Sequence, residues 1–195
     1  MHNVISNLSE FLEFNEEEGK AFESILIYKK IKKNEHLLVE GEHCNYGVFI
    51  QKGCIRHYYL NDGVESTGNF FFENGWYADF ESFLYGKPSM LNIEALEDCE
   101  LYLAYKSDFD KLVIQYPIFN NFLREMMERT IKGLTGKGMT MSLLNPEERY
   151  LALIKYRPKV VERVPLKHIA SYLGVKPESL SRIRTRLTKN DKNLT

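Results

Sequence analysis

At 195 residues, with 44% hydrophobic and 27% charged side chains, the chain has the composition of a globular protein of one or two domains. No apolar run approaches the roughly 20 residues of a membrane span, and the N-terminus MHNVISNLSEFLEF lacks the basic and apolar regions of a secretory signal. Three widely spaced cysteines, Cys44, Cys54 and Cys99, with no CxxC pair, argue against a disulfide framework and for a reducing, cytoplasmic compartment. The net charge of −1 conceals an asymmetry. Residues 150–195 hold eleven Lys/Arg against three Asp/Glu, whereas residues 1–149 hold fifteen against twenty-four, so a polyanionic partner is expected at the C-terminal end.

Residues 4–23 read as one amphipathic helix or two short ones, with Ile5, Leu8, Leu12 and Phe22 apolar and Asn15-Glu16-Glu17-Glu18 resembling an acidic first turn behind a cap. From about Ser24 the period changes. Short β-branched and aromatic runs at 25–31, 37–39, 48–50, 55–60, 69–72, 92–96 and 101–105 are punctuated by glycines, and Asn61-Asp62-Gly63 is a hairpin turn signal. Such spacing predicts an antiparallel sandwich or barrel over residues 24–106. Within it, Trp76, Tyr77, Phe80 and Phe83 can line an apolar ligand pocket or simply form core.

Helical periodicity returns at Ser107, which can cap a helix through Val113, and Pro117 opens the next one. Residues 117–142 carry Phe119, Phe122, Leu123, Met126, Ile131 and Leu134 in a band too wide for one solvent-facing helix. Gly133, Gly136 and Gly138 cluster late in that band. Glycine costs about 1 kcal/mol relative to alanine inside a helix, so they call for close packing or a bend. A two-fold pair of helices is the preferred reading, with packing inside the chain as the alternative. Asn145-Pro146-Glu147-Glu148 starts a further helix expected to turn Tyr150, Leu151, Leu153 and Ile154 inward, and Val160–Val164 can form a short strand.

The stretch Val164–Leu187 reads as two short helices around a tight turn. Leu166, Ile169, Ala170 and Leu173 form the buried stripe of the first, Gly174 ends it, and Pro177 starts the second. Leu180, Ile183 and Leu187 then face inward, leaving Glu178, Ser181, Arg182 and Thr185 outward. Arg can pair bidentately with guanine in the major groove and Glu can accept from a cytosine amino group. An ordinary αα-corner with a solvated basic face fits the same pattern. Only Thr188–Thr195 follow, so a terminal wing strand would be short.

This succession of helix, β-roll, long helix and helix-turn-helix resembles the Crp/Fnr family of bacterial transcription regulators over nearly the whole length. Glu178-Ser179-Leu180-Ser181-Arg182 is similar to the family's E-x-x-S-R recognition-helix pattern, and Lys33–Glu42 resembles the start of a cyclic-nucleotide-binding β-roll. The resemblance implies that Glu178, Ser181 and Arg182 read bases; position on the helix makes Lys176, Ser179 and Arg184 phosphate contacts. It implies a homodimer on palindromic double-stranded DNA, with half-sites about 10 bp apart and RNA polymerase as a further candidate partner.

The family's cyclic-AMP-binding members hold the ribose with a Gly-Glu pair and the phosphate with an Arg-Ser or Arg-Thr pair. Here these positions align with Ala78-Asp79 and with Pro88-Ser89 or Ser89-Met90, and neither offers an Arg. Lys87 is only a point-charge substitute, and Asp79 and Glu81 add repulsion, so cyclic AMP is a doubtful ligand and the effector is open. No cysteine precedes Cys44 to build an N-terminal iron–sulfur site, His36, His43 and His57 read as surface residues rather than haem ligands, and no HxH pair suggests a cupin metal.

The expected fold is therefore α+β: a β-roll sensor over 1–116, a dimerisation helix over 117–142, and a winged helix-turn-helix domain over 143–195. The expected effector-pocket residues are Ala78, Asp79, Lys87 and Ser89. The expected function is a DNA-binding regulator, not an enzyme, with no metal and no membrane partner. The alternative is a small-molecule-binding signalling module whose C-terminal helices engage protein.

Overall fold

The N-terminal helical stretch breaks in two, into α1 (His2–Leu8) and α2 (Glu16–Ser24). Asn15 caps the second: its side chain accepts from the Glu18 amide at 3.0 Å, and the Glu18 carboxylate accepts from the Asn15 amide at 2.8 Å. This reciprocal pair satisfies two amide donors that a helix start leaves open. The computed structural model describes residues 2–192.

Eight strands follow: β1 (Leu26–Ile31), β2 (His36–Leu38), β3 (Tyr46–Lys52), β4 (Cys54–Asn61), β5 (Val64–Phe72), β6 (Trp76–Tyr77), β7 (Asn92–Ala95) and β8 (Cys99–Tyr105). They form two four-stranded sheets, ordered β1-β8-β3-β6 and β2-β7-β4-β5, with antiparallel pairing throughout the ladders of β8 with β1 and β3 and of β7 with β2 and β4. The β4–β5 turn uses Asp62 at φ 50° and Gly63 at φ 77°, the two successive positive values that match the twist of a hairpin. Side chains alternate along β3. Val48 and Ile50 enter the core shared by both sheets, with Leu38, Ile55, Ile93, Leu101 and Leu103. Phe49 points the other way, into a second core with Trp76, Tyr102 and helical residues Val4, Leu8, Phe22 and Phe119.

Two elements of this domain are not foreseen in the sequence, the two-residue strand β6 and a short helix. Phe80–Tyr85 forms a short helix, α3, ended by Gly86 at φ 65°. Six residues are too few to establish a helical period against an aromatic background. After β8 come α4 (Lys106–Gln115) and the 25-residue α5 (Phe119–Leu143). Phe119 and Phe122 are buried, whereas Ile131, Leu134 and Met139 are exposed. A methyl group built on Gly133, Gly136 or Gly138 would meet nothing within 4 Å, so these glycines serve no close packing inside the described chain, and the helix runs through all three.

The remaining helices are α6 (Pro146–Tyr156), α7 (Pro158–Arg163), α8 (Leu166–Leu173) and α9 (Pro177–Lys192). Three expectations are corrected here. The segment expected as a strand at 160–164 is α7, because Pro158 fixes a helical first residue and the Val164 amide closes a turn onto Val160 O; local geometry overrides the β-preference of two valines. On α6, Tyr150 and Leu153 are buried but Leu151 and Ile154 are exposed, so the inward stripe is half as wide as expected. Among the described residues no wing strand follows the helix pair: Thr188–Lys192, expected to leave the helix, continue α9, and residues 193–195 fall outside the described residues.

The chain divides into two compact units, Met1–Tyr59 with Phe70–Lys132 and Leu60–Asn69 with Gly133–Thr195. The tip of the β4–β5 hairpin thus belongs with the helix-turn-helix.

Candidate nucleic-acid interface and sensor interior

The helix pair α8–α9 is built by small-scale geometry. Ile169, Ala170 and Leu173 are buried on α8, Leu180 and Ile183 on α9, and Ala170 has no exposed surface, as a close helix crossing requires. Gly174 sits at φ 69° and ends α8. Its amide donates to Ser171 O at 3.1 Å and the Val175 amide donates to Ala170 O at 3.0 Å, the paired bonds of a Schellman ending. Lys176 O then accepts from the Ser179 and Leu180 amides and opens α9.

With Leu180 and Ile183 committed inward, α9 presents Glu178, Ser181, Arg182, Thr185, Arg186 and Lys189 as exposed side chains. Their i, i+3/i+4, i+7/i+8, i+11 spacing makes one face about 16 Å long at 1.5 Å per residue. Ser181, Arg182, Thr185, Arg186 and Lys189 line one open surface depression, which offers three cations and two hydroxyls. Lys176 and Arg184 are exposed beside that face, while Ser179 is half-buried. Arg186 and Lys189 were not among the sequence-derived contacts; their register with Arg182 is the signal that finds them. Arg186 also pairs with Glu147 in the first turn of α6.

Two backbone-directed clamps hold this unit. Arg149 donates to Leu144 O at 2.9 Å, Leu173 O at 3.0 Å and Met141 O at 2.7 Å. One guanidinium thereby ties the end of α5 to the end of α8, at carbonyls that a helix C-terminus leaves without internal partners. The second clamp grips the β4–β5 tip. Ser171 Oγ donates to Glu65 O at 3.0 Å and accepts from the Thr67 amide at 2.9 Å. Lys137 Nζ donates to Thr67 O and Gly68 O at 3.1 and 2.7 Å, and Arg157 donates to Asn69 Oδ1 at 2.6 Å. Burial, helped by the nearby Arg157 charge, lowers the Lys137 ammonium from its ordinary 10.5 to about 8. His168, buried on α8, lies 3.9 Å from the Glu65 carboxylate.

The residues expected to form the effector pocket lie at the start of α3 and in the segment after it. Ala78 and Asp79 are half-buried at the start of α3, where Asp79 O accepts from the Phe83 amide at 2.7 Å. Ser89 is buried, its hydroxyl bonded to the Leu91 amide and carbonyl at 3.2 Å each. Lys87 is exposed and paired with Glu81 at 2.7 Å. The Tyr77 ring stands 4.4 Å from Phe71, and its hydroxyl lies 3.2 Å from His57 Nδ1. Burial holds the Tyr77 hydroxyl far above the usual phenol range, and the Asp79 charge adds to it. Burial likewise pushes the Cys44 thiol up to about 11.

Of the histidines expected at the surface, His36 and His43 are exposed but His57 is half-buried. Among the described residues, no three His, Cys, Asp or Glu side chains cluster as metal ligands, and no helix is long and apolar enough to cross a membrane. Arg56 was missed by sequence reasoning. Almost wholly buried on β4, it binds Glu94 at 2.6 Å and stacks over Tyr58 at 4.1 Å. Trp76, Tyr77, Phe80 and Phe83 do line one cavity, of about 40 Å³, with Phe109 and Phe122.

Residues 28–116 match the model of the cyclic nucleotide-binding domain. No curated protein matches the chain in sequence. Among solved structures it is similar to FixK2 from Bradyrhizobium japonicum, with 19% identity, 86% of each chain covered and a TM-score of 0.73. It is similar to the c-di-GMP-responsive global regulator CLP from Xanthomonas campestris, with 13% identity, 91% and 93% covered and a TM-score of 0.73. A regulator of the Crp/Fnr family from Eubacterium rectale matches at 17% identity, with 91% and 85% covered and a TM-score of 0.71. The chain has the Crp/Fnr fold.

Proposed function

We propose that the protein is a sequence-specific DNA-binding transcription regulator of the Crp/Fnr type, acting as a cytoplasmic homodimer rather than as an enzyme. The observation that carries this reading is the exposed face of α9, with a carboxylate at its first turn and cations recurring each turn to Lys189. Glu178, Ser181 and Arg182 read base edges in the major groove. Lys176, Ser179 and Arg184, with Arg186 and Lys189, contact the phosphates beside it. The exposed Ile131, Leu134 and Met139 and the open glycines of α5 support pairing of two α5 helices. Pairing sets palindromic half-sites about 10 bp apart.

The same reading holds that the sensor does not take cyclic AMP in the usual way. No Arg stands at the phosphate position, the Ser89 hydroxyl is engaged, and Asp79 imposes negative charge on Tyr77, Tyr59 and Cys44. A buried phosphate without a bidentate cation loses its main partner.

A second reading, a small-molecule-binding signalling module whose C-terminal helices engage protein rather than DNA, has the exposed Leu151, Ile154 and Tyr156 of α6 in its favour. Gel-shift titration on the DNA upstream of the protein's own gene, repeated across salt and with competitor DNA, separates the two. A complex that resists competitor supports regulation through DNA. Binding lost equally on all sequences as salt rises identifies a nonspecific basic surface.

A further inference from the structure

Pro146 and Glu147 open α6, and the start of that helix is satisfied without the Glu147 carboxylate. Asn145 Oδ1 accepts from the Glu147 and Glu148 amides at 3.0 and 3.1 Å, and the Glu148 carboxylate accepts from the Asn145 amide at 2.8 Å. The Glu147 carboxylate is left over. It reaches across 39 residues of sequence to the guanidinium of Arg186 on α9. An exposed ion pair contributes little to stability, so what matters about this one is its place.

Arg186 stands in the middle of the cationic stripe of α9, four residues after Arg182 and three before Lys189, and the three side chains line the same depression. Among the described residues neither Arg182 nor Lys189 pairs with a carboxylate. Glu147 thus cancels the central charge of three. The pair is also asymmetric, with the Arg186 side chain 60% exposed and that of Glu147 31%. Arg186 can turn away from Glu147 without leaving solvent, and its planar fork fits a phosphate as well as a carboxylate. The two anions would compete for the same donors.

We propose that Glu147 is a built-in competitor of DNA phosphate for Arg186. A duplex seated on α9 draws Arg186 from Glu147 to a backbone phosphate, and breaking the internal pair subtracts from the affinity gained. The cost is the same on every sequence, so Glu147 sets the level of affinity and leaves base discrimination to Glu178, Ser181 and Arg182. The inference rests on the DNA-binding reading of α9 and adds to it a group on another helix.

The test uses the full-length protein and a fluorescently labelled duplex of random sequence, titrated by anisotropy at low salt. Glu147→Gln, which keeps the shape of the side chain, and Glu147→Ala are each expected to bind about two- to fivefold more tightly than the parent, the range that an exposed ion pair supports. The gain should shrink as salt is added. In an Arg186→Met background the same substitutions are expected to give less than half of that gain. Unchanged or weaker binding by both Glu147 variants overturns the proposal. So does a gain of which more than half survives Arg186→Met, which would mark simple repulsion between Glu147 and the duplex. If the parent and every variant fail to bind duplex, the DNA reading falls and takes this inference with it, whereas binding that ignores Glu147 removes the inference alone.

Discussion

The β-roll and the helix-turn-helix treat a guanidinium in opposite ways. Arg56 on β4 is sealed from solvent, bound to Glu94 and stacked on Tyr58, whereas Arg182 on α9 stands in solvent, touching only Glu178 O at 3.4 Å. A buried, paired charge contributes to the integrity of a fold and has nothing left to offer a partner. An exposed one contributes little to stability and keeps its five donors available. The same residue type is therefore spent on structure in one unit and left open to solvent in the other.

The contrast can be broken at several points. Arg56→Met is expected to act on stability alone, costing about 3–5 kcal/mol because Glu94 is left buried without its partner; urea denaturation checks it, and a loss below about 1 kcal/mol would mean that the pair is solvated. Arg149→Ala strips three helix-end carbonyls of a shared donor and should cost about 2–3 kcal/mol, read as a lower urea midpoint. Arg182→Ala should leave the melting curve within about 0.5 kcal/mol of the parent, yet lose about 1–3 kcal/mol of discrimination at one base position. An equal loss on every sequence would reassign it to phosphate contact.

A further test concerns Lys137. Its ammonium falls to about 8 in the folded chain against 10.5 ordinarily. Between these values the unfolded chain holds a proton that the folded chain has released, so folding is favoured as pH rises through that window. The stability difference between the parent and Lys137→Met should therefore move in the parent's favour from pH 8 to pH 10. A flat difference would show that the ammonium keeps its ordinary affinity.

Legibility in the sequence followed the range of the interactions. The capped start at Asn145, the Asp62-Gly63 turn and the inward stripe of α8 and α9 depend on neighbours a few residues away, and all are present in the structure. Arg56 could not be anticipated, because its partner lies 38 residues on and is set by the β4–β7 register. Nor could Arg149, whose acceptors are backbone carbonyls that every residue possesses. The short α7 was hidden by its valines, and the exposed Leu151 and Ile154 by a one-residue ambiguity in the apolar stripe of α6. On the candidate interface, periodicity separated the outward from the inward side chains of α9. At the expected effector pocket, the missing Arg was legible, whereas the use of the Ser89 hydroxyl inside its own loop needed the structure.

The central claim, that α9 of a dimer reads DNA, is tested most directly by selecting binding sites from a pool of random duplexes with the full-length protein. The account predicts an inverted repeat with half-site centres about 10 bp apart, and relaxation at one position per half-site when Arg182→Ala is used. Recovery of no enriched sequence, or of a motif unchanged by Arg182→Ala, would contradict it.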